Sequence, residues 1–133
     1  MEIFPVLIVG AGPVGLTLAL DLVQRGLPII LIDKKKEIGE GSRAVCYTQK
    51  TLEIFGKLGV SERIFQEGLI WNTMRSYYKD KEIFCSSNTN TLDSKYPPYL
   101  NLSQYQLEII LKEKLLSYPL CDIRYGHEFI NLT

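Results

Sequence analysis

Along the first third of the chain, apolar runs alternate with polar breaks in two different periods. Val6-Leu7-Ile8-Val9 is short, wholly apolar and rich in β-branched residues, the pattern of a strand buried on both faces of a parallel sheet. After a glycine-rich break, residues 14–25 carry Leu16, Leu18, Ala19, Leu20, Leu22 and Val23, a stretch too long and too rich in Leu and Ala for a strand. A helix is predicted there, ended by Gly26 in the left-handed position that follows a helix cap. Pro28-Ile29-Ile30-Leu31-Ile32 is a second apolar, β-branched run, and it stops at Asp33. Strand, helix and strand within about 30 residues make a βαβ unit.

The pattern is weaker further on. Residues 34–47 read as an irregular loop containing Gly39, Gly41 and Ser42. A helix is predicted over 51–58, because Leu52, Phe55 and Leu58 share one face and Gly59 can close it. Ser61 then caps a short turn through Phe65. The aromatic, β-rich segment 71–85 predicts a hairpin with Lys79-Asp80 at its turn, followed by a polar excursion over 86–98 that ends in Pro97-Pro98. Ser103 and Gln106 have the spacing of a capping box, and Leu107, Ile110, Leu111 and Leu115 recur on one helical face. A helix over 104–117 follows, with Glu108 and Lys112 as an i,i+4 pair and Pro119 as its stop. Residues 121–125 read as a third strand and 126–133 as the opening of another. No repeat and no linker marks a second domain, so one domain is expected.

Composition narrows the possibilities. Leu, Ile, Val and Phe make up about a third of the 133 residues, enough for a packed core without staples. Lys and Arg number 15 against 15 Asp and Glu, and a balanced charge argues against nucleic acid as a partner. The run Lys34-Lys35-Lys36 is offset by Glu37 and Glu40 and reads as a solvated loop. Cys46, Cys85 and Cys121 lack ligand or disulfide spacing, so they read as small buried hydrophobes in a reducing compartment. The apolar stretch over 6–20 follows no positive segment, is broken by glycines and ends at Asp21, which argues against a signal peptide or a membrane span. The expectation is a soluble, cytoplasmic protein.

Candidate chemistry concentrates in Gly10-Ala11-Gly12-Pro13-Val14-Gly15. This is G-x-G-x-x-G set between a predicted strand and a predicted helix, the context that gives the motif its meaning. Gly10 allows a tight turn, Gly12 lets backbone approach a diphosphate, and Gly15 lets the helix lie close to the strand. Pro13 suits a first helical position, and helix N-terminal amides with the helix dipole favour the diphosphate charge. Asp33 lies 18 residues after Gly15, where a carboxylate can accept from the ribose hydroxyls of an adenosine half and disfavours a 2′-phosphate. The fingerprint does not separate FAD from NAD, since both carry the same adenosine diphosphate. His127, the one histidine, reads as a strand-end residue without a catalytic role.

With these motifs the chain resembles the FAD-dependent aromatic-ring monooxygenases of the phenol hydroxylase and p-hydroxybenzoate hydroxylase kind, over nearly its whole length. The opening through Asp33 is shared with many flavoproteins. More telling are Gly41-Ser42-Arg43-Ala44 with the following Thr51-Leu52-Glu53-Ile54-Phe55-Gly56-Lys57-Leu58-Gly59, and Leu102-Ser103-Gln104-Tyr105-Gln106-Leu107-Glu108. The resemblance implies an α/β, Rossmann-like FAD-binding βαβ core, truncated, with parallel strands in the order 3-2-1. It implies FAD held by Gly10, Ala11, Gly12, Pro13, Val14, Gly15, Asp33 and Lys34, with Arg43 along the cofactor and Gln104 on the ribityl side. Asp33 stands where the family usually has Glu, and Lys34 where it often has Arg. Family members run to several hundred residues and carry downstream Asp-Gly and Gly-Asp segments that do not occur here.

The resulting expectation is the N-terminal FAD-binding portion, residues 1–133, of a monooxygenase that hydroxylates aromatic compounds with NAD(P)H and dioxygen. No catalytic or metal-binding residue is assigned to it, and a companion chain or a missing C-terminal portion would complete it. Two alternatives stay open: an NAD-binding dehydrogenase module, and a catalytically inert fragment or binding module.

Overall fold

From the N-terminus run β1 (Val6–Val9), α1 (Pro13–Gln24) and β2 (Ile29–Asp33). The middle of the chain holds β3 (Cys46–Thr48), α2 (Gln49–Lys57), α3 (Ser61–Glu67), β4 (Leu69–Trp71), β5 (Thr73–Tyr78), β6 (Lys81–Ser87) and β7 (Tyr99–Asn101). Then come α4 (Gln104–Leu116) and β8 (Cys121–Tyr125). This computed structural model describes residues 4–39, 46–87 and 94–131. The chain divides into two compact units, Met1–Ala44 with Ser103–Thr133, and Val45–Leu102.

The first unit is an α/β layer pair. Its sheet has the order β1-β2-β8, with both pairings parallel, so the three predicted strands lie in the expected 3-2-1 order. Ile29 pairs with Val6 on one side and Cys121 on the other, and Asp33 at the end of β2 lies beside Tyr125. Helix α1 starts at Pro13 and is closed by the cap Arg25 and then Gly26, whose φ of +80° is the left-handed value that glycine tolerates best. Its buried positions Leu16, Ala19, Leu20 and Val23 form one stripe, packed against α4 and the sheet. Helix α4 buries Leu107, Ile110, Leu111 and Leu115 in the same way. Between these helices and the sheet lie Ile8, Ile29 and Leu31, and each fully buried aliphatic chain contributes about 1.5–3 kcal/mol.

Burial of β1 on both faces is not what the described residues show. Ile8 is buried, whereas Val6, Leu7 and Val9 are exposed. Leu7 and Val9 alternate with Ile8 along the strand and so point to the opposite face of the sheet.

The second unit combines the antiparallel sheet β3-β7-β4 with α2, α3 and the hairpin β5-β6. Among the described residues, Tyr47, Leu52, Phe55, Leu58, Val60, Ile64, Leu100 and Leu102 are its buried side chains. The predicted hairpin is present, with Lys79 at its turn in a left-handed conformation (φ +51°). Strands β3, β4 and β7 have three residues each, too few to show a period in sequence. Ser61 is the first residue of α3 rather than its cap, which is Val60.

Three further expectations change. Glu108 and Lys112 form no ion pair: Glu108 is turned to Gln104, and the Lys112 ammonium lies 4.7 Å above the Tyr125 ring. Residues 127–131 form no strand. Cys46 and Cys85 are exposed, and only Cys121 is partly buried. Burial, followed by the neighbouring Asp122 charge, pushes the Cys121 thiol up to about 11. Because the thiolate is the reactive form, iodoacetamide at pH 8 is expected to modify Cys46 and Cys85 well before Cys121, read by peptide mass mapping. Equal rates at all three would contradict the burial of Cys121.

Candidate functional site

The site begins where β1 ends. The Gly10 N–H donates to the Ile32 carbonyl at 2.8 Å, extending the ladder by one residue, and the chain then turns with Gly10 at φ +106°. That value is strained for any residue with a Cβ. Gly12 caps α1 in an extended conformation and Pro13 opens the helix, where its missing N–H costs nothing. The amides of a first helical turn have no intrahelical acceptor. Here no side chain caps them and the first turn itself holds no acidic residue, so these amides and the positive end of the helix dipole favour an anion.

Gly12 and Gly15 play different parts. A Cβ on Gly15 would run into the Gly10 carbonyl oxygen and come within 3.5 Å of the Ile8 side chain. A Cβ on Gly12 would meet nothing within 4 Å. Gly15 therefore seats the helix against the turn, and Gly12 leaves open space at the helix N-terminus. Such space, beside bare amides, fits the diphosphate of a dinucleotide.

Asp33 ties the end of β2 to this turn. Its Oδ2 accepts the Ala11 N–H and its Oδ1 accepts the Lys35 N–H, each at 2.8 Å. Both carboxylate oxygens are thus fixed in direction, and each retains capacity for a second hydrogen bond, such as one from a ribose hydroxyl. Behind Asp33, the segment after β8 is pinned in place: the His127 N–H donates to the Asp33 carbonyl at 3.0 Å and the Gly126 N–H to the Lys35 carbonyl at 2.7 Å. A cleft of about 410 Å³ opens here, lined by Val9, Gly10, Asp33 and Lys34 on one side and by His127 and Phe129 on the other. That volume lies within the range of roughly 300–1,000 Å³ usual for small-molecule sites. Lys34 and Glu128 approach to 4.0 Å across it, but both are largely exposed, so this pair contributes little.

The structure gathers Gly10, Ala11, Gly12, Pro13, Val14, Gly15, Asp33 and Lys34 around one turn. Arg43, with the rest of Gly41-Ser42-Arg43-Ala44, lies outside the described residues. Gln104 is the first residue of α4 in the same unit; it is half-buried, donates to Glu108 at 2.8 Å, and is not among the residues lining the cleft. Sequence reasoning missed Lys35 and the wall formed by residues 127–129. A signal was available, since segments just past the carboxyl ends of parallel strands converge on one crevice. Among the described residues, no group of three His, Cys, Asp or Glu side chains could hold a metal, and no helix is long and apolar enough to cross a membrane.

Comparison with known proteins bears on this turn. A family described as an FAD binding domain matches residues 4–133. A flavin-dependent monooxygenase of Mycobacteroides abscessus is 29% identical over 136 residues, a match covering 96% of this chain and 28% of the relative. The crystal structure of p-nitrophenol 4-monooxygenase from Pseudomonas putida superposes with a TM-score of 0.88 at 27% identity, covering 96% of this chain and 33% of that one. The flavin-dependent monooxygenase PieE, solved in complex with FAD and substrate, gives a TM-score of 0.82 at 29% identity, covering 99% of this chain and 25% of that one. The chain thus spans a quarter to a third of the length of these proteins.

Proposed function

Because the chain belongs to the FAD binding domain family and FAD is its cofactor, we propose that the turn between β1 and α1 takes the FAD diphosphate and that Asp33 takes the adenosine ribose. Gly10, Ala11, Gly12, Pro13, Val14 and Gly15 shape the turn: Gly12 admits the diphosphate, while the first-turn amides and the helix dipole bind its charge. Asp33 accepts from the ribose hydroxyls, Lys34 flanks the adenosine cleft, and Arg43 and Gln104 serve the flavin side of the cofactor. The observation that carries this reading is the pairing of open space at Gly12 with an Asp33 carboxylate hydrogen-bonded to the same turn.

Residues 1–133 correspond, in this reading, to the N-terminal part of the FAD-binding domain of an aromatic-compound monooxygenase. Bound FAD supplies the redox chemistry, accepting electrons from NAD(P)H and reacting with dioxygen. This chain's part is to bind and orient the adenosine end. Further polypeptide, in the same chain or as a companion chain, completes the flavin-ring pocket and the aromatic substrate site. The protein works in the cytoplasm, where three free cysteines stay reduced. The NAD-dehydrogenase alternative drew on Asp33, which suits either dinucleotide, whereas the family match favours FAD.

Fluorescence titration of the purified chain tests the proposal. FAD is expected to bind weakly, in about the micromolar range, with ADP as a competitor and NAD weaker than FAD. The isolated chain is expected not to oxidise NAD(P)H. NAD binding more tightly than FAD, or ADP failing to compete, would overturn the reading.

A further inference from the structure

The cleft beside Asp33 has apolar walls and a polar rim. Val9 and Phe129, both exposed apolar side chains, line it on opposite sides, while Asp33, Lys34, Lys35, His127 and Glu128 supply its polar groups. A planar heteroaromatic ring suits such walls, because every nucleobase has a π-face to lay against an aromatic side chain. The walls do not tell one purine from another. That choice lies with the groups that meet the edge of the ring, where adenine presents a donating 6-amino group and guanine or hypoxanthine an accepting carbonyl oxygen.

His127 is oriented from behind. Its backbone N–H donates to the Asp33 carbonyl at 3.0 Å, which ties it to the end of β2. Its ring Nδ1 lies 2.9 Å from the Tyr125 carbonyl oxygen. A carbonyl oxygen only accepts, so Nδ1 carries the proton, and in the neutral ring Nε2 is left as an acceptor. Among the described residues nothing donates to that nitrogen. The Lys34 and Lys35 ammonium groups only donate, and the Asp33 oxygens already accept the Ala11 and Lys35 amides. Glu128, the remaining acceptor, faces the Lys34 ammonium at 4.0 Å.

We infer that His127 selects adenine: its Nε2 accepts from the 6-amino group of the FAD adenine, while Val9 and Phe129 hold the plane of the ring. This rests on the reading above that Asp33 takes the adenosine ribose. His127 thereby sets base specificity and takes no part in the redox chemistry.

The test is displacement of FAD from the purified 133-residue chain by ADP and by inosine diphosphate, at mildly alkaline pH so that the imidazole carries one proton. The two nucleotides differ only at the base edge assigned to His127. ADP is expected to compete about tenfold better than inosine diphosphate. His127→Ala brings the two within about twofold by weakening ADP, with urea unfolding recorded alongside, and it keeps the backbone bond to Asp33. Phe129→Ala weakens both nucleotides and preserves their ratio.

Equal competition by the two nucleotides in the parent, or a ratio that survives His127→Ala, would overturn the inference. So would a ratio that is lost in Glu128→Ala and kept in the histidine variant. In each of these cases the diphosphate and ribose reading stands, provided that ADP displaces FAD. If neither nucleotide displaces FAD, that reading fails and the inference with it. His127→Phe, which keeps a ring and removes the acceptor, replaces the alanine variant if that variant unfolds.

Discussion

Gly12→Val is expected to weaken FAD binding by about a hundredfold or more while leaving the FAD-free chain folded, and Gly15→Ala is expected to do the reverse damage. At Gly12 the backbone is extended and a Cβ has open space, so valine is accommodated without FAD and costs about 1 kcal/mol as a poorer helix cap. With the diphosphate in place, the same side chain occupies the volume the cofactor needs, and no small adjustment of a first helical turn restores the amide contacts. At Gly15 a single methyl group collides with the Gly10 carbonyl oxygen, a backbone atom that moves only if the helix lifts from the turn. Overpacking of that kind costs roughly 1–3 kcal/mol or more. Urea unfolding and FAD titration of the two variants separate the effects, and Gln104→Ala, lacking a single contact, loses only about tenfold in affinity. A Gly12→Val chain that binds FAD as the parent does would remove the diphosphate from this turn.

Asp33→Ala is the second large effect, because one carboxylate serves both structure and binding. Without it the Ala11 and Lys35 amides lose their acceptors, and Ala11 itself is 4% exposed, so water does not readily replace the bond there. A loss of about 1–3 kcal/mol in unfolding free energy follows. FAD affinity is expected to fall by about tenfold or more as the ribose hydroxyls lose a charged acceptor. Asp33→Asn is milder but not neutral, because it offers one oxygen where two amides donate, and its NH₂ faces one of them. Intact stability in Asp33→Ala would contradict the two hydrogen bonds, and intact affinity would contradict the ribose contact.

The βαβ core was legible because its signals are local and strong. Val6 to Val9 and Ile29 to Asp33 are continuous apolar runs, Gly26 marks a helix end, and Gly10, Gly12 and Gly15 each satisfy a separate geometric demand. The third strand was legible because Pro119 and the change from Leu-rich to alternating residues at Cys121 bound it on one side. What stayed hidden depends on pairing over long sequence distances. Strands β3, β4 and β7 form a sheet from residues up to 55 positions apart, and no three-residue segment announces its partner. The exposure of Leu7 and Val9 was hidden for the same reason, since an apolar run gives no account of what covers each face.

At the site, the glycines and Asp33 were readable from spacing alone. His127 and Phe129 were not, because they reach the cleft only through the Gly126 to Lys35 and His127 to Asp33 backbone bonds. The bond from Gln104 to Glu108 was missed because Lys112 competes for Glu108 at the same i,i+4 spacing. The carboxylate is buried on the core side of α4, whereas the lysine ammonium caps Tyr125.

A titration of the ¹⁵N-labelled chain with FAD, followed by amide NMR, addresses the central claim most directly. The account predicts that the Gly10, Ala11, Gly12, Val14, Gly15 and Lys35 amides shift together with one binding curve, and that ADP reproduces those shifts. Shifts confined to the second unit, or an unmoved glycine turn at saturating FAD, would contradict it.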